Sequence, residues 1–192
     1  VTGIRVTGIT CRLVNSKIYN NTSKNGNAGG VYIQGGNLIM EDGSSIIENT
    51  SNAGFGGGIY SSIYEHEGTV YNGTVTINGG EVSENSAKYG GGVYIESGDF
   101  TITGGKISEN TSINGEGGGV YVLGGTFTIE NDALISKNTS CGNGGGVFAK
   151  GGKITINDGS ISENIFSNDS SGGGGIYLTG TAKLTMTGGK IS

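Results

Sequence analysis

The sequence predicts an all-β protein: a right-handed, single-stranded parallel β-helix of about six to seven coils, with roughly 27 residues and three short strands per coil. The first observation is a Gly-Gly-(Val/Ile)-(Tyr/Phe) tetrad that occurs six times, beginning at Gly29, Gly57, Gly91, Gly118, Gly145 and Gly174. The second is an alternation of apolar and polar residues between the tetrads, which indicates strands with one buried face. Because the same pattern returns in every coil, the strands must pair in parallel. Parallel crossovers are nearly always right-handed, which gives the predicted hand.

One coil is clearest in residues 91–116. Gly- and Ser-containing turns separate its three strand-like runs, which are Val93–Ile95, Phe100–Thr103 and Lys106–Asn110. The segment 111–117 is predicted to be a loop that leads into the next coil. Glycine supplies 42 residues and no segment shows an apolar stripe at helical spacing, so helical repeats are excluded.

The spacing of the tetrads defines the domain. Successive tetrads are 28, 34, 27, 27 and 29 residues apart. An insertion at about residues 61–73 explains the longest spacing and is predicted to be a loop. The rest of the chain keeps the period, so residues 1–192 are interpreted as one β-helix domain and as a fragment of a longer chain.

Apolar residues at equivalent positions predict a narrow aliphatic core along the whole solenoid. The first strands contribute Val31, Ile59, Val93, Val120, Val147 and Ile176. The second strands contribute Leu38, Val75, Phe100, Phe127, Ile154 and Leu184. The third strands contribute Ile18, Ile46, Val82, Ile107, Ile135 and Ile161. One coil alone would be unstable, so we expect stability to depend on stacking.

An asparagine follows the third strand of six coils. These residues are Asn21, Asn49, Asn85, Asn110, Asn138 and Asn164. Stacked amides can hydrogen-bond to one another and to turn backbone, so the column is predicted to be structural. Three members, Asn49, Asn110 and Asn138, also match the acceptor pattern for N-glycosylation, and the repeated corner position is the preferred explanation.

An aromatic column accompanies the first strand. Its members, each between two inward residues, are Tyr32, Tyr60, Tyr94, Tyr121, Phe148 and Tyr177. They are expected to point outward and stack at the strand spacing, which would stabilise the solenoid. The functional alternative is a flat aromatic strip that binds sugar rings or packs against a neighbouring protein domain.

Charge and hydropathy exclude several partners. The net charge is −5 and the 11 basic residues are scattered, so no basic stripe is available for nucleic acid. No apolar run approaches the ~20 residues that a membrane helix needs, so no direct membrane insertion is expected.

The pairing of Gly-Gly-x-(Ile/Val) with a hydrophobic-x-x-Asn motif resembles the repeats of the polymorphic outer-membrane proteins, and similar repeats in large adhesin-like surface proteins of bacteria and archaea. In those repeats the motifs read Gly-Gly-Ala-(Ile/Leu/Val) and Phe-x-x-Asn. Here Gly or Val-Tyr stands where Ala is usual, and Ile or Val replaces the Phe. The resemblance covers almost all of the chain beyond residue 14. It implies an extracellular, passenger-like β-helix that displays surfaces for adhesion.

The sequence shows no assembled catalytic or metal site. Glycoside hydrolysis needs two carboxylates about 5–10 Å apart, whereas the aspartates here mostly occupy turns. An acidic column, Glu48, Glu84, Glu109 and Glu163, is interpreted as a solvated edge. The single histidine, His66, lies between two glutamates in the insertion and has no second imidazole. We therefore expect no enzyme activity, no cofactor and no metal.

Three functions follow from these observations. The preferred one is a non-catalytic surface repeat, an adhesin-type stalk or display module that binds glycans or proteins outside the cell or at its surface. The alternative is a structural solenoid that forms filaments by end-to-end stacking with itself, since no polar capping segment is evident at either end. A polysaccharide lyase or hydrolase is the third and is disfavoured by the lack of paired acids.

Overall fold

The computed structural model describes residues 2–168 and 172–192 and confirms a parallel β-solenoid of about seven turns. The described residues form strands, turns and bends, with no helix. Strands are numbered in chain order, and each coil contributes one strand to each of four parallel sheets, except that the last coil adds none to sheet D. In the described ranges, therefore, no helix is long and apolar enough to cross a membrane.

Sheets A and B each have seven strands. Sheet A consists of β1 (Ile4–Thr7), β5 (Val31–Gln34), β9 (Ile59–Ser62), β15 (Val93–Ile95), β19 (Val120–Val122), β23 (Val147–Ala149) and β27 (Ile176–Leu178). Sheet B consists of β2 (Thr10–Leu13), β6 (Asn37–Met40), β12 (Thr74–Ile77), β16 (Asp99–Ile102), β20 (Thr126–Ile129), β24 (Lys153–Ile156) and β28 (Lys183–Met186).

Sheet C also has seven strands and sheet D has six. Sheet C consists of β3 (Lys17–Tyr19), β7 (Ser45–Ile47), β13 (Glu81–Ser83), β17 (Lys106–Ser108), β21 (Leu134–Ser136), β25 (Ser160–Ser162) and β29 (Lys190–Ile191). Sheet D consists of β4 (Thr22–Ser23), β8 (Thr50–Phe55), β14 (Ser86–Tyr89), β18 (Thr111–Ser112), β22 (Thr139–Ser140) and β26 (Ile165–Phe166).

Sheet D corrects the prediction of three strands per coil. Most of its strands have only two to four residues, and β18 begins in the segment 111–117 that was expected to be a loop. The pairs Thr111↔Thr139 and Ser112↔Ser140 continue the parallel register beyond the corner asparagine. The Ser112 hydroxyl is buried and donates to the Lys88 carbonyl oxygen at 2.8 Å. A pair of small polar residues thus forms a strand because inter-coil hydrogen bonds satisfy it.

The long coil contains a hairpin at the predicted insertion. Strand β10 (Tyr64–His66) pairs antiparallel with β11 (Thr69–Tyr71), with the turn at Glu67 and Gly68. On sheet A most equivalent residues are 27 to 29 positions apart, whereas Ile59 pairs with Val93 across 34 positions. The insertion therefore extends one coil without disturbing the register of the next.

The core is one continuous, mainly aliphatic cluster that the sheets enclose along the solenoid. The three inward columns expected from the sequence are buried in coils two to six, and Ile33, Ile95 and Val122 of sheet A join them. Phe100 and Phe127 stack in this core with ring centroids 4.7 Å apart. In the last coil, Met186 of sheet B is 42% exposed.

The corner asparagines form a continuous amide ladder. From Asn21 to Asn138, each Nδ2 donates to the Oδ1 of the asparagine in the next coil, as from Asn85 to Asn110 at 3.0 Å and from Asn110 to Asn138 at 2.9 Å. Each Oδ1 also accepts the backbone N–H of the preceding asparagine. From the second asparagine onward, Nδ2 also donates to a backbone carbonyl of the preceding coil, such as Val82 O for Asn110. The ladder covers Asn21, Asn49, Asn85, Asn110, Asn138 and Asn164.

The residue before each ladder asparagine has a left-handed backbone. These residues, with φ between 54° and 58°, are Asn20, Glu48, Glu84, Glu109, Lys137 and Glu163. All are exposed, and the left-handed residue turns the chain so that the following amide points inward. The acidic column seen in the sequence is thus part of a repeated turn.

Replacing Asn110 by alanine should lower the free energy of unfolding by roughly 3 kcal/mol or more, because buried partners left unsatisfied cost about 1–3 kcal/mol each. The substitution removes four hydrogen bonds, two accepted and two donated by the amide. Urea unfolding measures the loss. Asn78→Ala removes an exposed amide and serves as control; an equal effect of both variants would contradict the structural importance of the ladder.

Glycine at position 109 should keep or raise stability by up to about 1 kcal/mol, because glycine adopts a positive φ without a steric cost. Glu109→Val should lower stability, since a β-branched residue is strongly disfavoured there. Thermal unfolding of both variants tests this, with Glu130→Gly as the control at a position without a positive φ. If Glu109→Gly lowered the unfolding temperature as much as Glu130→Gly does, the positive φ of residue 109 would not be a source of backbone strain.

Candidate ligand-binding groove

The outward residues of sheet A form a ring ladder, defined as Tyr32, Tyr60, Tyr94, Tyr121, Phe148 and Tyr177. Parallel register places each ring beside the next. Tyr94 and Tyr121 are stacked at 4.6 Å with an interplanar angle of 13°, and Phe148 and Tyr177 at 5.7 Å with 4°. At the first coil, the Arg5 guanidinium lies 5.2 Å from the centre of the Tyr32 ring. The ladder lies on the opposite face of sheet A from the aliphatic core.

The ring ladder is not the flat, exposed strip expected as a functional alternative. The four central rings, Tyr60, Tyr94, Tyr121 and Phe148, are only 4–7% exposed, and only Tyr32 and Tyr177 at its ends are half-buried. Two causes account for this. Neighbouring rings cover each other's faces, and side chains from the end of sheet D lie across the ladder. An alanine substitution at Tyr94 would therefore remove core packing as well as a binding surface.

The covering side chains come from a wall column, defined as the residues that precede the Gly-Gly-Gly turns: Phe55, Tyr89, Glu116, Asn143 and Gly172. Phe55 stacks on Tyr94 with centroids 4.7 Å apart and an angle of 23°. Tyr89 meets Tyr121 edge to face, at 6.1 Å and 83°. After Tyr89 the wall column has no further ring. The aromatic cover therefore ends partway along the ladder.

A groove of about 670 Å³ lies where this cover ends. One side is the wall column from Phe55 to Asn143, and the floor is the ring ladder from Tyr94 to Tyr177. The other side consists of Leu123, Lys150 and Thr179, each two residues beyond a ladder residue. Glu116 is the single carboxylate among these lining residues. The groove thus combines a largely aromatic floor with one acid, one base and an amide.

Burial controls the ionisation of the ladder phenols. Desolvation raises the pKa of Tyr121 to about 12, and the charge of Glu116 and the neighbouring Tyr89 add to this effect. Desolvation also raises the pKa of Tyr94 and of Tyr60, and the Tyr60 hydroxyl donates to the Glu96 carboxylate at 2.8 Å. These three phenols stay neutral at ordinary pH.

The side chains of the inserted hairpin do not form a ligand set. His66 stacks on Tyr64 at 6.0 Å and is 60% exposed, with Nε2 3.9 Å from Glu67. Glu65 pairs across the hairpin with Val70. Among the described residues no group of three His, Cys, Asp or Glu side chains is placed to hold a metal ion.

The groove residues that the sequence does not predict are the wall column and, on the other side, Leu123, Lys150 and Thr179. The wall column does have a sequence signal, which is its repeated place directly before a Gly-Gly-Gly triplet. The residue type at this place varies from Phe to Gly. In the sequence this position falls in a segment that is predicted to be a loop. A loop has no fixed register, whereas these residues are held by inter-coil bonds such as Gly90 N–H to the Glu116 carbonyl oxygen at 3.1 Å.

Comparison with known proteins gives one short similarity. The Chlamydia polymorphic membrane protein repeat matches residues 132–150, a stretch that runs from before β21 past the ladder Asn138 and the wall Asn143 to β23. The match is shorter than one coil and suggests a surface or outer-membrane-associated repeat protein. Neither the curated proteins nor the solved structures contain a match to the chain.

The raised pKa of Tyr121 predicts alkaline destabilisation. In the unfolded chain a tyrosine ionises near pH 10, so the stability from the neutral buried phenol is complete below about pH 10 and is lost as pH rises toward 12. The free energy of unfolding should fall over that range, and less steeply in Tyr121→Phe. Urea unfolding at a series of pH values measures both slopes. Tyr19→Phe removes a phenol that is 54% exposed and should leave the slope unchanged.

Proposed function

We propose that this chain is a non-catalytic, adhesin-type display module of an extracellular surface protein, and that it binds protein or glycan ligands through the groove. The observation that carries the proposal is the interruption of the wall column. From the second and third coils an aromatic side chain lies across the ladder, whereas Glu116 and Asn143 supply no ring, and the groove opens beside them with the half-buried Tyr177 at the end of its floor. A solenoid that served only as a spacer would have no need of this break.

The chemistry of the groove supports binding. Interfaces are rich in Tyr and Phe at the centre and polar at the rim, and here the aromatic floor is flanked by Glu116, Lys150 and Thr179. The frame is rigid because each lining residue belongs to, or directly follows, a strand or turn fixed by inter-coil hydrogen bonds. Little conformational entropy is then lost when a ligand binds.

We propose binding without hydrolysis. Glycosidases need a second carboxylate facing the first across the substrate, and Glu116 has no such partner among the groove residues. The similarity to a polymorphic membrane protein repeat supports display at a surface. Glycans and surface proteins remain the two ligand classes.

The proposal is tested by a substitution that places a tyrosine side chain in the groove. Glu116→Tyr places at the next wall position the residue found at Tyr89, and should weaken ligand binding at least tenfold. Binding is measured on arrays of glycans and of matrix proteins with the purified chain. Glu130→Tyr makes the same change directly after β20, away from the groove, and should bind as the unmodified chain does.

Two results would contradict the proposal. One is equal array binding by the unmodified chain and Glu116→Tyr, which would remove the groove from ligand recognition. The other is the release of reducing or unsaturated ends from polysaccharides by the purified chain, which would make the module catalytic.

A further inference from the structure

A second concave surface lies on the outward face of sheet C and shares no residue with the groove. It is formed by the residue that follows each inward side chain of this sheet. The first two coils place Tyr19 and Ile47 there, and the next four coils place serine. We define these four stacked residues as the serine trough: Ser83, Ser108, Ser136 and Ser162. A recess of about 250 Å³ opens in the trough at coils four to six.

Larger side chains border the recess on both sides. Lys106 and Leu134, which precede the inward residue of their strands, form one rim. Glu109, Lys137 and Glu163, which occupy the left-handed turn, form the other rim. Serine is much smaller than any of these residues, so the trough lies lower than its two rims. The recess therefore exists because the later coils carry serine where the first two carry a large side chain.

The hydroxyl groups of the trough change from satisfied to unsatisfied along the solenoid. In coil three, Ser83 donates to the carboxylate of Glu81. In coil four, the residue paired with Glu81 is Lys106, which has no acceptor atom and whose Nζ lies 3.2 Å from the same carboxylate. The Ser108 hydroxyl consequently has no hydrogen-bond partner, although this residue is only 3% exposed. An unsatisfied buried hydroxyl destabilises the fold, and a turn about χ1 moves its oxygen to another staggered position, so a ligand atom that accepts its proton is favoured.

The recess coincides with the one change of sign in the acidic column. Glu109 and Glu163 occupy the turn position in coils four and six, and Lys137 stands between them in coil five. All three side chains belong to exposed residues. Within the described residues, neither the Lys137 ammonium nor either of these two carboxylates forms an ion pair. The rim therefore offers one hydrogen-bond donor between two acceptors.

These groups suit a neutral sugar better than an ion. A sugar hydroxyl both donates and accepts, so it matches a rim on which an ammonium stands between carboxylates. The two carboxylates outnumber the one ammonium, since Lys106 is paired with Glu81, and an anionic group would meet net repulsion. A cationic group would meet Lys137 between the carboxylates. Leu134 adds an apolar contact for the C–H groups of a sugar ring.

We infer that the recess is a second binding site of this chain and that it takes one neutral sugar residue of a glycan. Glu109 and Glu163 accept hydrogen bonds from the sugar hydroxyls, and Lys137 and Ser108 donate to its oxygens. The site is independent of the groove, because the two have no residue in common. A glycan is therefore held on the face of sheet C whatever the groove binds.

The inference is tested with the methyl glycosides of glucose, galactose and mannose, each titrated into the full chain and followed by amide chemical shifts in two-dimensional NMR. We expect at least one of them to give saturable shifts at Leu134, Ser136 and Lys137. Methyl glucuronide, which carries a carboxylate on the same kind of ring, should bind at least tenfold more weakly than the best neutral probe.

A matched pair of variants locates the probe. Ser136→Ile places in coil five the residue that Ile47 supplies in coil two, fills the recess and should weaken binding at least tenfold. Thr128→Ile is the control, because it lies in the same coil on sheet B and copies Ile39 of coil two. It should bind as the unmodified chain does.

A surface variant keeps the test independent of how Ser136→Ile folds. Lys137→Met removes the ammonium from an exposed position and should weaken binding of the neutral probe at least fivefold. Lys24→Met makes the same change of charge at an exposed position in the first coil, outside the recess, and should have no effect.

Three outcomes would overturn the inference. The absence of saturable shifts with all three neutral glycosides would remove the sugar site. Equal binding of methyl glucuronide and the best neutral probe would contradict the preference for a neutral ligand. Equal binding to Ser136→Ile and Thr128→Ile, or to both lysine variants, would place the probe elsewhere. Each of these results leaves the proposed function standing, since Glu116→Tyr tests the groove separately.

Discussion

The packing of an asparagine against a glycine at one corner of each of the first six coils is the constraint on which the rest of the solenoid depends. Asn110 stands where sheet C ends and Gly92 where sheet A begins, and a Cβ at Gly92 would come within 2.9 Å of the Asn110 amide nitrogen. The same approach joins Gly119 to Asn138. Only a residue without a side chain leaves room for the amide, and the amide in turn satisfies the backbone of neighbouring coils. The Gly-Gly and x-x-Asn motifs therefore recur together because they are two halves of one contact.

A fixed corner sets the register, and the register produces the columns. Once Asn and Gly stack on their counterparts, each inward apolar residue stacks on an inward apolar residue, as Phe100 does on Val75 and on Phe127. The wall position is different, because its backbone makes the inter-coil bonds while its side chain has no structural requirement. It can change from phenylalanine to glutamate to asparagine without moving the coil. Specificity can therefore evolve at that position while the fold stays constant.

The sequence predicts those features of the structure whose residues recur at the same position in every coil. The parallel solenoid and its inward columns follow from the glycine tetrads and the alternation of strands, since burial of one face leaves a visible period. Sheet D was missed because a pair such as Thr111 and Ser112 carries no hydrophobic alternation and differs little from a turn. The outward direction of the ladder was readable, but its burial was not. Phe55 reaches Tyr94 from the far end of its coil, and no local pattern reports such a contact.

The position of the groove follows from an energetic difference between coils that share one backbone. Where Phe55 and Tyr89 lie across the ladder, ring edges are removed from water, and each aromatic pair adds roughly 0.5–1.5 kcal/mol beyond the burial of its area. Where Glu116 and Asn143 stand instead, no wall ring adds this stabilisation, and the groove beside them carries the charged side chains of Glu116 and Lys150. Hydrogen bonds to the neighbouring coils hold the backbone at these wall positions. The absence of a ring there therefore lowers stability without changing the backbone. The wall position is the least regular side-chain position of this repeat, and it is therefore the position at which coils of one backbone can differ in what their surface binds.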